Sequence, residues 1–153
     1  MVQEMFTKLG RNGEVSYIER EFEPFDYEGY EVVRRKSCSK KNQPAVTLKH
    51  GSFVFNAYAI KMLDECSNIQ ILLNLKKKAM IARSCDKYLF DSVQWSRIDK
   101  RGKVIPKIVY GKPFTGLLFY EMYWDFKGTV KILGTFHNIR GEKFLEFKLD
   151  NKA

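Results

Sequence analysis

Ala45-Val46-Thr47-Leu48-Lys49-His50-Gly51-Ser52-Phe53-Val54-Phe55-Asn56 sets two short runs of β-branched and aromatic residues on either side of a turn, and closes on an asparagine. Such residues suit the pleated, half-buried surface of a strand. Lys49-His50-Gly51 supplies a glycine where the chain must reverse, so the stretch reads as strand, turn, strand. Asn56 is a good helix N-cap, because its side-chain oxygen accepts from an early helical N–H. A helix is expected from Ala57 to Cys66, with Ala59, Met62 and Leu63 on one face and Tyr58 and Ile60 flanking it. Ile69 to Leu73 reads as the next strand, Asn74-Leu75-Lys76-Lys77-Lys78 as a basic turn, and Ala79 to Arg83 as the last strand. Residues 45–85 thus form one β-β-α-β-β unit.

The same order of elements returns in residues 93–149. Val93 to Ile98 alternates as a strand, Asp99 to Lys103 is a turn, and Val104 to Tyr110 is a strand interrupted at Pro106. Pro113 suits the first turn of a helix, where its missing N–H is not needed, and that helix is expected over Phe114 to Tyr123. Thr129 to Leu133 and Lys143 to Leu149 complete a hairpin around Asn138 and Gly141. Two units of one order suggest an internal duplication. The expected fold class is therefore α+β, two similar β-β-α-β-β units packed as an internal pseudo-dimer in one compact domain. Residues 1–36 form an acidic N-terminal extension with short strands at Val15 to Ile18 and Glu31 to Arg35. Lys36 to Pro44 reads as a basic loop closed by proline.

The order Gly51-Ser52-Phe53-Val54-Phe55-Asn56, Ile60-Lys61-Met62-Leu63, Ile69 to Leu73 and Ala79 to Arg83 resembles the swapped-hairpin DNA-binding family of the AbrB/MazE/SpoVT type, over residues 45–85 and as a second copy at 93–149. Ser52 and Asn56 stand where that family has a basic residue and a proline; Gly102-Lys103-Val104-Ile105-Pro106 is nearer its pattern. The resemblance implies duplex-DNA binding in transcription regulation, with two units in one chain building a pseudo-dimer. It also implies that Lys49 and the set Lys100, Arg101 and Lys103 occupy equivalent ends of the two units.

Charge points the same way without the family. The chain carries a net +9 over 153 residues. In residues 1–31, three basic residues against eight acidic ones leave −5, whereas 24 against ten in residues 32–153 leave +14. A strongly basic body attracts polyanions by steering and counterion release. The candidate nucleic-acid-binding residues are Arg34, Arg35, Lys36, Lys40 and Lys41, then Lys49 beside His50, then Arg97, Lys100, Arg101 and Lys103, with Lys107 beside the last set. Lys-rich turns also serve simply to solubilise hairpins and guard sheet edges, which is the preferred reading of Lys76-Lys77-Lys78. Phe119, Tyr120, Tyr123, Trp124 and Phe126, with Lys112 and Lys127, offer rings for stacking bases, but a core helix with aromatic packing is favoured.

Other chemistry finds little footing. Three widely spaced cysteines, Cys38, Cys66 and Cys85, make neither a disulfide framework nor a zinc site. There is no GxSxG elbow, Walker loop or HExxH, so neither catalysis nor a cofactor or metal is expected. The GxxG at Gly10 to Gly13 reads as a glycine turn rather than a KH-type clamp. No apolar run spans a membrane, and the cytoplasm is the expected location. The leading expectation is a duplex-DNA-binding regulator or mobile-element accessory protein acting through basic loops. The alternatives are a single-stranded DNA binder of Whirly-like type and an antitoxin-like protein-interaction module. A protein partner and homodimerisation stay open, as does whether the acidic front segment shields the basic body.

Overall fold

A computed structural model describes residues 2–9, 15–22, 25–34 and 42–153. The chain divides into two compact units, Met1–Lys40 and Lys41–Ala153. In the first, β1 (Val2–Leu9) pairs antiparallel with β2 (Val15–Phe22), from Val2↔Phe22 to Leu9↔Val15. Val15 to Ile18 is therefore part of a longer strand. Glu31 to Arg34, expected as a strand, is exposed irregular chain.

The second unit begins with β3 (Ala45–Lys49), β4 (Ser52–Phe55) and α1 (Ala57–Met62). Asn56 fixes all three. Its Oδ1 accepts from Ala59 N at 2.9 Å, capping α1, and from Ala45 N at 3.1 Å, while Nδ2 donates to the Gln43 carbonyl at 2.8 Å. The helix is shorter than its apolar pattern suggests, because Asp64 and Glu65 both turn left-handed at φ +58 and +56. Next come β5 (Asn68–Asn74), β6 (Ala79–Ser84), β7 (Val93–Gln94), β8 (Ser96–Ile98), β9 (Val104–Pro106) and β10 (Val109–Tyr110). They are followed by α2 (Lys112–Glu121), with proline in its first turn, and by β11 (Thr129–Ile139) and β12 (Glu142–Lys152).

Eight of these strands form one antiparallel sheet in the order β10-β4-β3-β11-β12-β6-β5-β7, curled until it is nearly closed. Among the described residues, strands β8 and β9 pair only with each other. This corrects the expected α+β pseudo-dimer of β-β-α-β-β units: among the described residues the fold is mostly antiparallel β with two short helices. The hairpins at 45–55 and 68–84 do not pair with each other, because β11–β12 lies between them, with β3 on β11 and β12 on β6. The stretch 93–110 is divided. Its two ends, β7 and β10, sit at opposite ends of the sheet, and its middle leaves the sheet altogether.

Burial explains both departures. Strand β11 buries Val130, Ile132 and Gly134, and β12 buries Leu145, Phe147 and Leu149, so two long strands need neighbours on both sides. Local turn chemistry names hairpins but not the edges that meet. Trp95 is fully buried, and its indole N–H donates to the Cys66 carbonyl at 2.7 Å, which breaks the strand expected over Val93 to Ile98. The interior is one continuous apolar cluster, in which Phe55 meets the rings of Phe53, Trp95 and Phe147 edge-on or nearly so. Gly134 is required there: a Cβ on it would lie 2.6 Å from the Phe147 ring. No helix among the described residues is long and apolar enough to cross a membrane.

Candidate nucleic-acid interface

A group of exposed cations lies on the ribbon formed by β8 and β9. Pairing runs from Ser96↔Pro106 through Arg97↔Ile105 to Ile98↔Val104, and the Asp99 N–H to Lys103 carbonyl bond, 2.9 Å, closes its tip. Three residues, Lys100, Arg101 and Gly102, make the loop. Gly102 takes φ +79, the left-handed position that such loops require. The Asp99 carboxylate accepts from the backbone N–H groups of Arg101 at 2.8 Å and Lys103 at 2.9 Å. The one acid of the ribbon thus organises the turn that displays the cations.

Residues opposite one another in an antiparallel pair share a face, and successive residues alternate. Ser96, Ile98, Val104 and Pro106 therefore share one side. Ser96 is buried on that side, where its hydroxyl donates to the Cys66 carbonyl at 3.0 Å, and β9 packs near α1. Arg97 and Ile105 share the other side. Arg97, Lys100, Arg101 and Lys103 are all exposed, and Lys107, at the base, donates from Nζ to Gln94 Oε1 at 3.2 Å. The ion pairs among the described residues, Lys143 with Asp64 and His137 with Glu146, involve none of these cations. Four exposed cations, with Lys107 at the base, against one carboxylate make a small positive ribbon.

The other candidate residues are not gathered with it. Lys49 is exposed at the turn end of β3, opposite Ser52 and beside Thr129. The ribbon approaches α1, which follows the other end of β4. The equivalence expected between Lys49 and the set Lys100, Arg101 and Lys103 rested on the duplicated units and goes with them. Arg34 is exposed in the first unit. Arg35, Lys36, Lys40 and Lys41 lie outside the described residues.

Both histidines have specific neighbours. The ring of His50 packs edge-on against Phe126 at 5.0 Å. His137 sits on β11, stacked on Phe144 at 4.9 Å with Nε2 3.3 Å from Glu146 Oε1. Phe119 and Trp124 are core residues, as the packing reading expects, whereas Tyr120 and Tyr123 are exposed. The sequence does not single out Tyr110, 82% exposed and two residues before Lys112, nor exposed Ile98 on the ribbon and Ile108 just beyond it. The signal for Tyr110 is weak, since a strand expected over Val104 to Tyr110, interrupted only at Pro106, gives no sign that its end reaches solvent. Burial pushes the Cys66 thiol up to about 11, and the Cys85 thiol is also raised by burial. Among the described residues, no three His, Cys, Asp or Glu side chains are arranged to hold a metal ion.

Searches against protein-family models, curated proteins and solved structures find no match to this chain, so the candidate interface rests on its own geometry.

Proposed function

We propose that this chain binds nucleic acid through the β8–β9 ribbon, with duplex DNA as the favoured target and occupancy of DNA, as a regulator or mobile-element accessory protein, as its mode of action. The observation that carries the reading is the convergence of Arg97, Lys100, Arg101, Lys103 and Lys107 on one short hairpin around Asp99. A two-stranded ribbon has the dimensions to enter the major groove of B-DNA. Its cations would contact phosphates and set the affinity, and Arg97 or Arg101 would be suited to guanine edges. A cytoplasmic location belongs to the same proposal, since free thiols at Cys66 and Cys85 suit a reducing compartment.

Salt titration of binding to duplex and to single-stranded DNA tests it. Four phosphates neutralised by the four exposed ribbon cations give a slope of log K against log salt of about −3.6. Changing Arg97, Lys100, Arg101 and Lys103 together to alanine is expected to flatten the slope by about that amount with the melting temperature unchanged. No binding at low salt, or a slope that the variant leaves alone, would remove the reading. A single-strand binder is the second reading, favoured by the exposed Tyr110 ring near Lys112. Loss of a mixed-sequence single strand, but not of duplex, on Tyr110→Ala would select it.

A further inference from the structure

The sheet stops short of closing, and the seam has a distinctive make-up. Only Asn68 and Ile69 of β5 are paired by β7, and only Ser52 and Phe53 of β4 by β10. Between them lies a cleft of about 290 Å³, walled by Phe53, Ile71, Leu73, Val93, Val109 and Phe114. Among the described residues, the one charged residue on its wall is Asp91.

The backbone at this seam is as telling as the side chains. The Cys85 N–H bonds the Asn68 carbonyl across the β6 side, and the Trp95 N–H bonds the Ser67 carbonyl across the β7 side. Hydrogen-bonding direction alternates along a strand. Even-numbered residues of β5 therefore turn their backbone groups to β6, and Ile71 and Leu73 turn theirs to the seam. Among the described residues nothing bonds that edge beyond Ile69. An open strand edge backed by apolar side chains is a template for another strand.

The adjoining chain does not fill it. Residues 86–92 fold back on themselves through the bonds Leu89 N–H to Asp86 O and Ser92 N–H to Leu89 O, leaving Phe90 96% exposed. Continuing the β7 register would set Asp91 opposite Ile71 and turn its carboxylate into the apolar wall, an unfavourable burial.

We propose that the seam receives an extended segment of another protein, added as a strand along Ile71 to Leu73. Main-chain bonds to β5 select an extended polypeptide over a compact small molecule. The cleft selects apolar side chains at alternate positions, and Asp91 at its rim selects a lysine or arginine beside them. This mode is β-augmentation, and it stands independently of the nucleic-acid reading.

The test uses the full chain and a short synthetic peptide of alternating valine and threonine ending in one lysine. Hydrogen exchange at the Ile71 and Leu73 amides is expected to be fast in the free monomer and slowed by the peptide. N-methylation of the peptide at the amides facing β5 is expected to weaken binding about tenfold. Asp91→Asn, at an exposed position, is expected to weaken it about fivefold. Four outcomes would overturn the proposal: protection of both amides already in the free monomer, which would put a segment of this chain in the seam; protection that tracks a concentration-dependent dimer, which would put a second copy there; equal binding by the N-methylated peptide; or no binding at millimolar peptide.

Discussion

Two hairpins of this molecule obey the same pairing rules and come to opposite ends. The β11–β12 hairpin, 11 residues a side, lies at the centre of the sheet and buries Ile132, Leu145, Phe147 and Leu149. The β8–β9 ribbon, three residues a side, pairs with no other strand among the described residues and displays Arg97, Lys100, Arg101 and Lys103. Pairing makes a hairpin, but the side chains on its faces decide whether it becomes core or projection. A long apolar stripe demands neighbours, while a short, charged ribbon is anchored only at its base and along one side.

Core substitutions test the contrast most severely. Phe147→Ala is expected to cost about 3–5 kcal/mol, the range for a buried aromatic, whereas Ile105→Ala on the half-buried ribbon should cost under about 1.5 kcal/mol. Denaturant midpoints at constant slope check both, and equal losses would break the distinction. Glycines sharpen it at intermediate size. Gly134→Ala forces a methyl against the Phe147 ring and is expected to cost about 1–3 kcal/mol. Gly102→Ala, with open space around it but φ +79, should cost about 1–2 kcal/mol through backbone strain alone. Combining Phe147→Leu with each glycine change separates the two, since only the Gly134 penalty should shrink. The smallest effect is a gain. Arg140, at φ +53, occupies the two-residue turn of β11–β12, where asparagine is better suited. Arg140→Asn is expected to raise stability by a few tenths of a kcal/mol, read as a small upward shift in melting temperature.

What the residues disclosed on their own was local. The turns within Lys49-His50-Gly51, Asn74 to Lys78 and Asp99 to Lys103 and the cap at Asn56 depend on near neighbours and appear where the sequence puts them, and the helix opened by Pro113 forms over Lys112–Glu121, two residues earlier at each end than the expected Phe114 to Tyr123. The arrangement of hairpins depends on contacts far apart in the chain, such as Val46 with Ile132 or Ala82 with Leu145. A repeated order of elements suggested two matching halves, yet the same order is satisfied by one continuous sheet with a hairpin inserted between two others. The ribbon cations were legible because charge clusters within a dozen residues. The seam was not, because Ile71, Leu73 and Val109 read as ordinary core residues until the sheet is seen to stop beside them.

The base of the ribbon also acts as a gauge. The chain enters it from β7 at one end of the sheet and leaves it to β10 at the other, and the Lys107 N–H holds the Trp95 carbonyl at 3.0 Å between them. With about 3.3–3.6 Å per residue and about 5.5 Å across a bonded pair, the two ends near that clasp can stand no more than about 16 Å apart. Strands repeat every ~4.8 Å, so the opening has room for one or two threads of chain and excludes a whole folded domain.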